Sequence, residues 1–226
     1  MKLNQVFLKR SKQIILDHLQ LQLPTQGVVV LLGANGAGKS SLLAVMAGLS
    51  EIDGGELDRG GIKQAFLMPE PASFYPHLTV REQLQFVAGL NQVNDAKEQV
   101  ERQLDQWQLL PVADKLTQHL SLGYRQRLSL AQLDLVDADL LLLDEPMNGM
   151  DPDLLQAFKQ RLKQWQQHKL VVMATHIMHE AQAHADWVVV MAAGQVKYTA
   201  AYQHTEDLAH IYQTALTGEA ARHINS

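Results

Sequence analysis

An α/β fold is predicted, with a parallel sheet at its centre, an antiparallel β segment ahead of it and a helical block inserted into it. Three observations carry that expectation. An apolar run, Val28 to Leu32, passes through a glycine-rich turn into Leu42, Leu43, Val45 and Met46 at helical spacing. Four leucines, 140 to 143, run directly into Asp144 and Glu145. Between these runs, from about 73 to 134, the apolar period is helical. Continuous apolar runs without polar alternation read as strands buried on both faces of a parallel sheet.

In chain order, Leu3 to Leu8 and Ile14 to Leu23 read as short strands, with Lys9, Arg10 and Lys12 in the turn between them. A turn at 24–27 leads into the central strand. Asp53-Gly54-Gly55 and Arg59-Gly60-Gly61 punctuate a second strand pair that closes with Ala65 to Met68. Thr79, with Glu82 three residues on, is the capping-box start of a helix carrying Leu84 and Val87. Val100, Leu104 and Trp107 repeat on the next helix and read as core. Asp151-Pro152 opens another helix with proline at its first position. Strands follow at 170–174 and 187–191, and Leu208, Ile211, Tyr212 and Leu216 mark a closing helix. The expected organisation is one domain, with an α/β core of about 1–72 and 135–226 and a helical subdomain of about 73–134.

The turn reads Gly33-Ala34-Asn35-Gly36-Ala37-Gly38-Lys39-Ser40-Ser41, a GxxxxGKS match in the strand–turn–helix setting that gives the pattern meaning. Glycines let the backbone wrap so that successive N–H groups point at a phosphate, and the helix start adds the positive end of its dipole. Lys39 supplies a mobile cation for the outer phosphates, and the Ser40 hydroxyl is a hard oxygen ligand suited to Mg²⁺. A chance glycine loop is the plainer alternative. The setting favours a nucleoside-triphosphate site.

The leucine strand delivers Asp144 and Glu145 at its carboxyl end, where open α/β sheets bind ligands. Asp144 is placed to hold the Mg²⁺ shell and Glu145 to activate water. Taken alone, the pair also reads as an acidic helix start before Pro146. His176 follows the strand at 170–174. With His179, Glu180 and His184 it suggests a metal cluster, but HxxHE is neither zinc-protease order. A histidine at a strand end beside a phosphate is better read as a phosphate-sensing hydrogen-bonder.

Composition removes other classes. With 46% hydrophobic and 19% charged residues the sequence is that of an ordinary globular protein. A net charge of −5 gives no electrostatic case for a nucleic-acid partner. Cysteine is absent, which excludes disulfides, thiolate metal sites and cysteine catalysis and fits a cytoplasmic location. No apolar run approaches the ~20 residues of a membrane span, and no signal core opens the chain. Any membrane connection is expected through a partner.

Taken together, the segments resemble the nucleotide-binding subunit of ABC transporters, over nearly the whole chain and in order. Leu120-Ser121-Leu122-Gly123-Tyr124-Arg125-Gln126-Arg127 resembles the family signature, usually LSGGQ, just upstream of the Leu140–Pro146 strand and its acids. Asn148-Gly149-Met150-Asp151 resembles the D-loop, His176 the switch histidine, and Met68-Pro69-Glu70-Pro71 stands at the Q-loop. The resemblance implies a P-loop core of the ABC ATPase type and a head-to-tail dimer, homo- or heterodimeric. It implies that each ATP, with Mg²⁺, lies between one subunit's phosphate loop and the other's signature. Ser121, Leu122, Gly123 and Tyr124 would then act in trans, the Ser121 hydroxyl and Gly123 N–H completing the γ-phosphate shell. Asp151 would face the opposite subunit, and Glu145 and His176 would serve hydrolysis. As an ordinary helix start, Ser121 would simply cap.

Three departures stand out: Leu122 for the first signature glycine, Glu70 for the usual glutamine, and Arg10 near the position of the aromatic that stacks on adenine. The arginine plane can stack on a base. Glu70, if it faces the site, joins Ser40 and Asp144 as a Mg²⁺ ligand. The resemblance also implies an integral-membrane permease partner, met by 70–78 and the helical block, and a peripheral place on the cytoplasmic face of the membrane. The short tail resembles small exporter-type ATPases. The alternative is a non-transport ABC ATPase working as a mechanical switch in a cytosolic assembly or repair complex.

Overall fold

Six residues from Gly27 to Leu32, all buried, form the strand on which the fold is built. In the computed structural model, which describes residues 1–217, the chain separates into two compact units. The first holds Met1–Leu67, Asp139–Pro146 and the chain from Gln164 on; the second holds Met68–Ala138 and Met147–Lys163. The second unit thus takes 147–163, which the sequence reading gave to the α/β core. The last nine positions of that expected core, 218–226, lie outside the described residues.

The first unit contains two sheets. β1 (Lys2–Arg10) pairs antiparallel with β2 (Gln13–Gln22) and, on its other edge, with β4 (Gly54–Asp58). The second sheet has the order β5 (Ala65–Met68), β6 (Leu140–Asp144), β7 (Leu170–Thr175), β3 (Gly27–Leu32), β8 (Trp187–Ala192), β9 (Gln195–Ala201). β6, β7, β3 and β8 run parallel, and β9 closes the edge antiparallel. All residues of β3, β6 and β7 are buried, as strands rich in leucine and valine without polar alternation require. α1 (Lys39–Ala47) buries Leu42, Leu43, Val45 and Met46 and packs against β6 and β7. Leu142, Val172, Val29 and Leu31 join the same core as the β1–β2 leucines. α6 (Met178–His184) and α7 (Leu208–Thr217) complete the unit.

Two local expectations are corrected. β4 and β5 do not pair with each other, because β4 extends the antiparallel sheet while β5 joins the central one beside β6. Lys9 and Arg10 belong to β1, paired with Ile14 and Gln13, so the turn is only Ser11-Lys12. Arg10 is exposed at the strand's end.

The second unit is built of α2 (Val80–Leu90), α3 (Ala96–Gln106), α4 (Leu122–Leu135) and most of α5 (Pro152–Trp165). The capping box forms: the Glu82 N–H donates to Thr79 Oγ1, and the Thr79 N–H donates to the Glu82 carboxylate at 2.8 Å. Val100, Leu104 and Trp107 are buried. The Trp107 indole N–H reaches the wholly buried Asp134 carboxylate at 3.1 Å, which also accepts from Gln106 and Arg161. That carboxylate ties α3, α4 and α5 into one body, and its charge is matched by the Arg161 guanidinium.

Candidate functional site

Strand register places the chemistry. Leu32 on β3 lies level with Thr175 on β7, and Asp144 on β6 level with Ala174. Three neighbouring parallel strands therefore end in one row. Their next residues are Gly33, Glu145 and His176, so three distant stretches of the chain meet at the carboxyl edge of the sheet.

The loop from Gly33 turns tightly, with Gly36 at φ 82° and Gly38 at φ 100°, both in the left-handed region that only glycine enters freely. A side chain at Gly33 would stand 2.5 Å from the Met191 carbonyl, so the loop also needs glycine for space. α1 starts at Lys39 with no acidic residue in its first turn, leaving the positive end of its dipole uncompensated. The Ala37 carbonyl accepts from the Gly194 N–H at 3.1 Å, and the Gly194 carbonyl accepts from Asp17 on β2 at 3.0 Å. This hairpin link, which fixes the back of the loop, was missed in the sequence, where no element was assigned to 195–199. The Ala193-Gly194 turn was the available signal.

Lys39 is buried, and its Nζ donates to Gly33 O at 2.7 Å and Ala34 O at 3.3 Å, with Glu145 Oε1 at 3.9 Å. Burial pulls its pKa down, while the Glu145 and Asp144 charges act in the opposite sense. Asp144 is 7% exposed. Burial raises its pKa; the Ser40 hydroxyl, hydrogen-bonded to it, lowers it, Glu145 raises it, and Lys39 lowers it. Glu145 sits at φ 44°, unusual for a residue with a side chain, and its N–H donates to Ala174 O at 2.9 Å. That backbone bond holds a strained residue in place while its carboxylate lies 2.9 Å from His176 Nδ1. The neighbouring Glu180 accepts from the Thr175 hydroxyl at 3.0 Å. Among the described residues no group of three or more His, Asp or Glu side chains forms a metal cluster.

An ionised Asp144 that burial disfavours, beside a hydroxyl and a second carboxylate, is a donor set suited to a hard cation. The sign of the pKa shift gives a test. A raised carboxyl pKa means that the folded state binds more protons than the unfolded chain between the ordinary and the raised values. Stability conferred by protonation is therefore lost as pH rises through that window, and the cost stands at neutral pH. Asp144→Asn should raise the nucleotide-free melting temperature at pH 7, by about 2–4 °C per kcal/mol relieved, and the difference should shrink as pH falls through that window to the ordinary carboxyl value. A lower melting temperature at pH 7 would mean that Ser40 and Lys39 outweigh burial.

In the second unit Ser121 takes the extended N-cap conformation of α4, but its hydroxyl makes no capping bond. The plain capping role is thus unfilled, and the side chain is exposed. Gly123 and Tyr124 lie in the first turn of α4, half-buried. Leu122, 57% exposed, packs against Gly149, where an added Cβ would lie 2.7 Å from its methyl. Gln126 Nε2 donates to Asn148 O at 2.8 Å, and Arg127 pairs with Asp151 at 3.3 Å. Asp151 also accepts from the Leu154 N–H at 2.8 Å; that bond first, and then the Arg127 charge, hold its carboxyl below the usual range. Glu70 is half-buried in the segment after β5.

Loop, lysine and paired carboxylates at the ends of parallel strands define a protein that binds a nucleoside triphosphate. The family model described as "ABC transporter" matches residues 16–148. The ABC transporter ATP-binding protein YdbJ of Bacillus subtilis (strain 168) is 30% identical over 208 residues, 87% of this chain and 67% of that protein. The sulfate/thiosulfate import ATP-binding protein CysA of Vibrio vulnificus (strain CMCP6) is 33% identical over 201 residues, 80% of this chain and 58% of that one. A solved structure described as an ATP binding subunit of an ABC transporter superposes with a TM-score of 0.87 at 22% identity, covering 95% of this chain and 98% of the other. The chain belongs to the ABC transporter family and carries that family's ATPase cassette. It spans 58–67% of the length of the two relatives named.

Proposed function

We propose that this chain binds and hydrolyses ATP in a head-to-tail dimer and so drives transport through a separate membrane permease. The observation that carries the reading is the row at the sheet edge, with Lys39, Asp144, Glu145 and His176 converging beside the phosphate loop. Lys39 leaves its loop carbonyls to meet the outer phosphates. Ser40 and Asp144 would hold Mg²⁺, which would supply positive charge to offset that of the phosphates. Glu145 takes a proton from the attacking water. His176 keeps Nδ1 against Glu145, 2.9 Å away, and turns its other ring nitrogen to the phosphate. Ser41 and the N–H groups of 34–38 line the phosphates, and Arg10 lies under the base. From the other subunit, Ser121 and the Gly123 N–H close the shell, with Leu122 and Tyr124 beside them and Asp151 across the interface.

The permease face is read from exposed apolar groups of the second unit. Tyr75 is 55% exposed, and Phe86 and Leu90, one turn apart on α2, are 38% and 66% exposed. No helix among the described residues is long and apolar enough to cross a membrane. The chain then works at the cytoplasmic face, held by its permease. A photo-cross-linking residue in place of Tyr75, irradiated in cells, should give an adduct with an integral-membrane protein. Adducts with soluble proteins alone would transfer the reading to a cytosolic assembly.

A further inference from the structure

The segment from Ala72 to Leu78 is held by backbone bonds from three elements of the second unit. The Thr117 hydroxyl donates to Tyr75 O at 2.6 Å, and the Thr117 N–H donates to Leu78 O at 2.9 Å. The Tyr75 N–H donates to Gln83 Oε1 on α2 at 3.1 Å. The Tyr75 ring meets Phe86 edge-on, with centroids 4.8 Å apart. These contacts anchor the exposed end of the segment to α2. The other end is gripped by the side chain of Arg125. Arg125 Nη2 donates to Ala72 O at 2.6 Å, and the Arg125 guanidinium carbon lies 5.4 Å from the centre of the Phe74 ring.

Arg125 also has a second task, through its backbone. Its N–H donates to Ser121 O at 2.9 Å, closing the first turn of α4 and fixing Ser121 at the helix start. One residue therefore sets the start of α4 with its main chain and grips the 72–78 segment with its side chain. Arginine suits both contacts of the grip. Its planar fork can donate to a carbonyl while its face lies on a ring, a combination that a lysine ammonium does not offer.

We propose that Arg125 is a positioning residue that transmits movement between the start of α4 and the 72–78 segment. Engagement of ATP at Ser121 and Gly123 then alters the exposed Tyr75–Phe86 surface, and a partner pressing on that surface alters the helix start. This rests on the dimeric ATPase reading above, and goes beyond it by naming the connection within the subunit. Coupling of this kind requires a physical contact that joins both ends, and Arg125 touches both.

The test is hydrogen exchange of the peptide covering 72–78 in Glu145→Gln protein, with and without Mg²⁺-ATP, alongside sizing by light scattering. Exchange there should slow several-fold when the ATP dimer forms. In Glu145→Gln/Arg125→Met the dimer should still form, with the response at 72–78 lost. Phe74→Leu, which leaves α4 untouched, should reduce the response by about half, since it removes the ring and keeps the carbonyl bond. An equal response in all three proteins overturns the proposal. So does loss of the dimer in Arg125→Met together with an unchanged response in Phe74→Leu, because Arg125 would then serve the helix start alone. If Glu145→Gln with Arg125 intact forms no dimer, the dimer reading itself fails and takes this proposal with it.

Discussion

Glu145→Gln is expected to bind ATP, to lose hydrolysis by about 10²–10⁴-fold, and to accumulate as an ATP-bound dimer. The substitution replaces one carboxylate oxygen by an amide and changes little in shape, so the backbone bond from Glu145 N to Ala174 O and the φ of 44° should survive. What is lost is the capacity to accept a proton from water. Lys39 Nζ also loses a negative neighbour at 3.9 Å, which favours its turning toward phosphate and should keep or improve affinity. The His176 ring, 2.9 Å from Glu145, retains an acceptor in the amide oxygen. Phosphate release and light scattering with Mg²⁺-ATP read the two halves of this expectation. Ordinary turnover by the variant would remove Glu145 as the base and turn attention to His176, whose ring lies 2.9 Å from it.

How far the sequence revealed this site depended on how local each feature is. The strand–loop–helix from Gly27 to Ala47 was legible because a six-residue apolar run, its glycines and its lysine are contiguous. The acids after the four leucines were legible for the same reason. Their meeting with His176 was expected only from strand ends, and it is the parallel register of β6, β7 and β3 that produces the contact. Pairing between distant strands has no local signature, so β4 and β5 were wrongly taken as partners. β9 went unread although Val196, Tyr198 and Ala200 alternate with polar residues, because the two-residue turn before it was not recognised, and the seven residues of α6 are too few to show a helical period. The left-handed backbone at Glu145 left no trace in residue type. The grip of Arg125 on Ala72, 53 positions away, likewise depends on tertiary structure.

Lys39→Ala should lower ATP affinity by about 10²–10³-fold, since truncating one partner of a buried charged pair costs about 2–5 kcal/mol. The argument goes beyond the loss of one cation. Lys39 is the positive group that acts on both Asp144 and Glu145, so its removal leaves two neighbouring carboxylates facing the incoming phosphates without their counter-charge. It also removes the hydrogen bonds to Gly33 O and Ala34 O that shape the first turn of the loop. These two effects separate experimentally. Equilibrium binding of labelled ATP reports the electrostatic part, and the nucleotide-free melting temperature reports the loop part. Lys39→Arg keeps the charge in a larger group, so it should hold more of the affinity than alanine if charge dominates, and no more if fit in the tight loop dominates. Unchanged affinity in Lys39→Ala, with the fold intact, would mean that the loop from Gly33 to Ser41 does not hold the phosphates.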